Sequence, residues 1–164
     1  MKIALVLIAL AAVVVWGWPA IALSEKAAIG YLDELDALSV QGQPEKYCEH
    51  MHDDLAVAVR DATSTLGAVR IDGGKKEWCD YIASTTEGMS VLGMKSRVTR
   101  QGVTVTRRWQ SPWTARVAYE EQRTSEMTSV DATLRTVSND EWTLVQTLSG
   151  IKVLSLNVDS RIAP

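Results

Sequence analysis

The chain opens with an uncharged run that sets the terms for everything after it. Residues 3–23 contain no Asp, Glu, Lys or Arg, and only Met1 and Lys2 precede them. As a helix, a run of this length crosses a bilayer core of about 30 Å. A soluble core helix of the same length would show a polar face, and this one has none. Two readings stay open. In the first, residues 1–23 are an uncleaved signal anchor, with Trp16 and Trp18 at the membrane interface. In the second they are a signal peptide: Lys2 is the positive n-region, Ile3–Val15 the h-region and Ala20-Ile21-Ala22 the cleavage site. Pro19 suits either. The first cysteine is Cys48, so no lipobox is present. Both readings export the remainder, to the periplasmic face of an inner membrane if anchored, or to the periplasm or medium if cleaved.

Residues 24–164 are then one domain's worth of chain. They hold 16 basic and 20 acidic residues, a net charge of -4, which argues against nucleic acid as a partner. The charge is uneven. Residues 45–90 have nine acids and five bases, and residues 91–140 have eight bases and five acids. Solvated faces explain this, and so does a basic sheet surface meeting an acidic partner. The whole chain has six Trp, two of them in the leader, and four Tyr but no Phe.

Helices come first along this body. Ser24 is placed to cap a helix in which Ala28, Tyr31, Leu32, Leu35 and Leu38 recur at helical spacing, and Gly42 ends it. Pro44 starts a short second helix carrying Tyr47, Cys48 and Met51 on its apolar side. Leu55, Val57 and Val59 alternate as a short strand, and Asp72-Gly73-Gly74 is a turn. Trp78, Ile82, Thr85 and Met89 form the stripe of a third helix from Lys75 to Met89. After Met94 the period drops to two. Strands are predicted at Arg97–Trp109, Trp113–Met127 and Asp131–Val137, with Asn139-Asp140 as a break. A hairpin from Trp142 to Asp159 turns at Ser149-Gly150. Helices followed by antiparallel strands is an α+β layout.

The order of these elements resembles the NTF2-like superfamily, including its SnoaL-like and ketosteroid-isomerase-like branches. The residues that carry the resemblance are Tyr47–Val59 (YCEHMHDDLAVAV), Gly73–Ile82 (GGKKEWCDYI) and Trp142–Asp159 (WTLVQTLSGIKVLSLNVD), within a span of roughly residues 25–160. The resemblance implies a cone: N-terminal helices on a curved, mostly antiparallel sheet, with a pocket between. It also implies homodimers formed through the sheet. It implies no single chemistry, because the superfamily includes isomerases, cyclases, epoxide hydrolases, transport factors and membrane-tethered secretion components.

Several side chains are candidates within that frame. His50, His52, Asp53 and Asp54 are the densest polar cluster, and a His–carboxylate pair suits acid–base work near neutral pH. Capping of a helix-to-strand junction explains Asp53 and Asp54 as well. By resemblance to the isomerase branch, Tyr31 matches a Tyr of the first helix, and Asp61 lies two residues beyond the position of the base. The later acid belongs near Met127–Asp131, where nothing matches, which argues against steroid isomerisation. Cyclases and epoxide hydrolases pair a buried Asp with Arg. Arg107, Arg116 or Arg135 with Glu120 or Asp131 would supply such a pair, though exposed cross-strand ion pairs explain the same residues.

In an exported chain Cys48 and Cys79, 31 residues apart, suit a disulfide between the second and third helices. Free buried thiols or metal ligands are the alternatives. Cys48, His50 and His52 are two apart, so on a helix they point to different faces, and no metal site is expected. No cofactor motif occurs. Trp78, Tyr81, Trp109, Trp113, Tyr119 and Trp142 are the expected pocket or sheet-face residues. The leading expectation is a membrane-tethered module that binds a small apolar ligand or a protein, without catalysis. An isomerase- or cyclase-type enzyme, and a structural subunit of an envelope or secretion assembly, are the alternatives.

Overall fold

The computed structural model describes residues 23–63 and 68–163, together with Ala12 and Gly17. Most of the leader at residues 1–23, and with it the choice between anchor and signal peptide, lies outside the described residues. Among those described, no helix is long and apolar enough to cross a membrane.

Helix α1 spans Glu25–Val40, and the Ser24 side chain accepts a hydrogen bond from the Ala27 N–H at 3.3 Å. Its buried stripe is Ala28, Tyr31, Leu32 and Leu35. Gly42, at φ +70°, takes the left-handed conformation that stops the helix cheaply. Helix α2, Pro44–Glu49, has Pro in its first turn and buries Tyr47. Helix α3, Lys75–Val91, starts where the Glu77 carboxylate accepts the Gly74 N–H at 2.9 Å, and it buries Trp78, Ile82 and Thr86. The remaining elements are strands: β1 Met51–Ala62, β2 Val69–Gly73, β3 Met94–Arg107, β4 Thr114–Met127, β5 Ala132–Thr147 and β6 Gly150–Ile162.

The strands form one sheet in the order β2-β1-β6-β5-β4-β3. Among the described strands, only β1 and β6 run parallel; the other pairs are antiparallel. Strand alternation sends one set of side chains toward the helices, where Leu55, Val57, Val59, Val117, Leu144, Val153 and Leu156 join the core. Breaks of register in β1–β6, β3–β4 and β5–β6 mark the irregularities that let long strands bend.

Three expectations are corrected. Strand β1 begins at Met51, so His52, Asp53 and Asp54 lie on a strand, not at a helix-to-strand junction. The parallel partner β6 pairs with Met51 and again from Ala56 onward, with a register irregularity across the residues between them. Asn139-Asp140 do not break a strand: Asn139 pairs with Glu120 on one side and Asp159 on the other. Two neighbouring ladders override the weak strand preference of Asn and Asp. The strand expected over Arg97–Trp109 begins at Met94 and ends at Arg107.

The Cys48–Cys79 disulfide is formed, with Cα atoms 5.8 Å apart, and it staples α2 to α3. At the far end of α3, Gly93 (φ +59°) turns the chain into β3. The Thr128 hydroxyl donates to the Gly93 carbonyl at 3.0 Å, so the backbone passes close to the β4–β5 loop.

Candidate functional site

The site is built from inward-facing rows that run across the sheet. The row Met51, Val153, Leu144, Ala115 is apolar and almost fully buried. Further along, polar groups appear. One row is Val59, Val158, Asp140, Tyr119, and the next is Asp61, Ser160, Ser138, Glu121, Arg100. Helices α1 and α3 stand over these rows with Asp36, Trp78, Tyr81 and Thr85, and together they enclose a cavity of about 450 Å³. That size lies within the usual range for small-molecule pockets.

Asp140 sits in the cavity wall and is only 7% exposed. Its pKa is raised from 3.8 to about 6, chiefly by burial and further by the neighbouring Glu121 charge. Ser138, Trp142 and Tyr119 act in the opposite direction. They do so as neutral hydrogen-bond donors around the carboxylate, although Asp140 Oδ1 and the adjacent Trp142 Nε1 themselves fall outside strict hydrogen-bond geometry. The Tyr119 hydroxyl is pushed well above its ordinary range, mainly by burial, so it remains a proton donor.

A second polar cluster ties α1 to the sheet. Arg100 donates to Asp33 and Asp36, and its Nε lies 3.8 Å from Glu121. Arg123 donates to Glu121 through Nε at 3.1 Å and Nη2 at 2.9 Å, and Nη2 is 3.6 Å from Asp36. The Arg100 guanidinium also lies over the Tyr119 ring, 5.3 Å from its centroid. Burial raises the Asp36 pKa while Arg100 and Arg123 oppose it.

The sequence candidates separate by location. Asp61 lines the cavity and accepts from the Thr63 N–H (2.9 Å), the Ser160 hydroxyl (3.0 Å) and the Tyr81 hydroxyl (3.4 Å). Burial raises the Tyr81 pKa to about 12. Trp78 and Tyr81 stack at 5.5 Å and form the aromatic wall, with Trp142 and Tyr119 on the sheet side. Trp109 and Trp113 fall outside the cavity wall: they lie between β3 and β4, 79% and 38% exposed, because β3 ends before either. Tyr31 is buried outside the cavity wall, donates to the His50 carbonyl at 3.3 Å and packs against the His50 ring. His52 accepts the Asp54 N–H at 3.1 Å. Asp53 is exposed and pairs with Lys75 at 2.8 Å, which lowers its pKa. Arg116 pairs with Glu141 across β4 and β5, as a cross-strand pair does. Among the described residues, no cluster of His, Cys, Asp and Glu could hold a metal ion.

Sequence reasoning missed Arg100, Glu121, Arg123 and Asp140. The signal for two of them was present. Alternation that puts Val117 and Tyr119 inward also puts Glu121 and Arg123 inward. Asp140 was hidden by its reading as a strand break.

No protein-family model matches the sequence, and no curated protein matches it. Solved structures do match. The β subunit of benzoate 1,2-dioxygenase from Burkholderia mallei aligns with TM-score 0.67 at 8% identity, over 85% of this chain and 91% of that one. A scytalone dehydratase candidate from Novosphingobium aromaticivorans aligns with TM-score 0.58 at 12% identity, over 85% and 83%. An NTF2-like protein with a cystatin-like fold from the same organism aligns with TM-score 0.53 at 18% identity, over 82% and 86%. The chain therefore has an NTF2-like fold: a curved six-stranded sheet covered by helices.

Proposed function

We propose that this NTF2-like domain binds a small molecule inside its cone, outside the cytoplasm. The cavity of about 450 Å³ carries the reading: its wall is mostly apolar and aromatic, with buried polar atoms that lack partners. The uncharged leader supports a tether at the outer face of the cytoplasmic membrane. The Cys48–Cys79 disulfide supports an oxidising compartment. A homodimer formed through the outer sheet face belongs to the same reading.

Asp140 favours a second reading, proton transfer on the bound molecule. A buried carboxyl with pKa about 6 beside a protonated Tyr119 can take and return a proton near neutral pH. One matching structure is a dehydratase candidate and another is a dioxygenase subunit, so such cones serve in both enzymes and assemblies.

Native mass spectrometry of the full chain purified from membranes tests the reading. A retained small-molecule adduct lost on collisional activation is the expected result, on a polypeptide mass that reports whether the leader is kept. An empty cone that also fails to take up any apolar probe would overturn it.

A further inference from the structure

The cavity wall is unbalanced in charge. It carries four carboxylates, Asp36, Asp61, Glu121 and Asp140, against two guanidiniums, Arg100 and Arg123. Both guanidiniums are ion-paired, Arg100 with Asp33 and Asp36 and Arg123 with Glu121 and Asp36, although Arg100 Nε itself has no hydrogen bond. Asp61 is satisfied by neutral donors. Asp140 has no ion-pair partner among the described residues: its carboxylate is met only by neutral donors, Ser138, Trp142 and Tyr119, and its Oδ1 atom falls outside hydrogen-bond geometry with any of them. A buried acceptor left in this state costs free energy that a ligand donor can recover. The walls around it are rings: Tyr119 and Trp142 on the sheet, and the stacked Trp78 and Tyr81 on α3. Such faces attract cations, and Arg100 already lies on the Tyr119 ring.

We propose that the cone selects a protonated amine carried on an apolar body, with an ammonium N–H donating to Asp140 and the body against the aromatic wall. This rests on the reading of the cone as a small-molecule site and names the charge of its ligand. An anionic ligand would add to an existing excess of negative charge. A neutral one would leave Asp140 without a counter-ion.

The test compares two probes of nearly equal size, 1-naphthylmethylammonium and 1-naphthylmethanol, by calorimetry on the full chain in detergent at neutral pH. The amine is expected to bind about tenfold more tightly or better. Asp140→Asn is expected to remove that preference while retaining the alcohol's affinity, which also shows that the variant is folded. Asp53→Asn, on the exposed part of β1, is expected to keep the preference. Equal or tighter binding of the alcohol, or a preference that survives Asp140→Asn, overturns the inference and leaves the small-molecule reading standing. Failure of both probes to bind overturns both.

Discussion

Asp140 titrates near 6 in the folded domain because burial disfavours its charge, whereas an aspartate in an unfolded chain titrates near 3.9. A raised pKa means that the folded state holds the proton more tightly. Its contribution to stability is therefore complete below about pH 3.9 and is lost as pH rises through about 6. Asp140→Asn removes the buried charge while keeping the side-chain shape. At pH 7.5 the variant is expected to be more stable than the parent by on the order of 2–3 kcal/mol, a gain absent at pH 4. Urea unfolding at the two pH values checks this, and an equal difference at both would contradict it. Gly93 gives a residue-scale expectation of another kind. An added Cβ would lie 2.3 Å from Thr128 Oγ1, at a φ of +59°. Gly93→Ala is expected to cost about 1–3 kcal/mol, read as a lowered Tm.

At the scale of elements, two devices hold the helices over the sheet. The disulfide joins α2 to α3, and its neighbours in sequence, Tyr47 and Trp78, both line the cavity. The double variant Cys48→Ser, Cys79→Ser closes no loop and is expected to lose about 3–4 kcal/mol in urea unfolding. It is also expected to broaden the aromatic NMR signals of Trp78. Arg100, with a side chain 8% exposed, joins β3 to α1. Arg100→Met leaves Asp36 beside Glu121 with one guanidinium fewer, at an expected cost of about 3–5 kcal/mol. Adding Glu121→Gln is expected to recover part of that loss in a double-mutant cycle. The helices and the hairpin at Ser149-Gly150 were legible in the sequence because their periods and turn residues are local. The bridge was legible from the expectation of export and an even cysteine count. The buried ion cluster was not, because Asp36 and Arg100 are 64 residues apart and no local pattern marks one as the other's partner. Asp140 was obscured for a related reason: its strand character comes from β4 and β6, not from its own neighbours.

For the whole molecule, the question is what the outer face of the sheet can meet. That face has a shallow hollow lined by Glu120, Glu141, Asp159, Asn139 and Asn157. Bases stand among these acids: Arg60 is opposite Asp159 in the ladder, and Arg116 holds Glu141. A two-fold interface must bring one patch against itself. A surface of one sign would repel its copy, whereas interleaved signs can be matched acid to base by the rotation. The face is polar, so little of the pairing energy comes from apolar burial. The homodimer proposed through this face is therefore expected to weaken with salt, its Kd rising about tenfold or more between roughly 50 and 500 mM NaCl as exposed charge pairs are screened. Sedimentation equilibrium of the full chain in detergent reads this directly. Arg116→Glu, which places a like charge beside Glu141, is expected to give monomer at low salt, with the unchanged cavity still binding its probe. A dimer that tightens with salt, or survives Arg116→Glu, would place the contact elsewhere, on apolar surface such as the exposed Trp109 or Leu148.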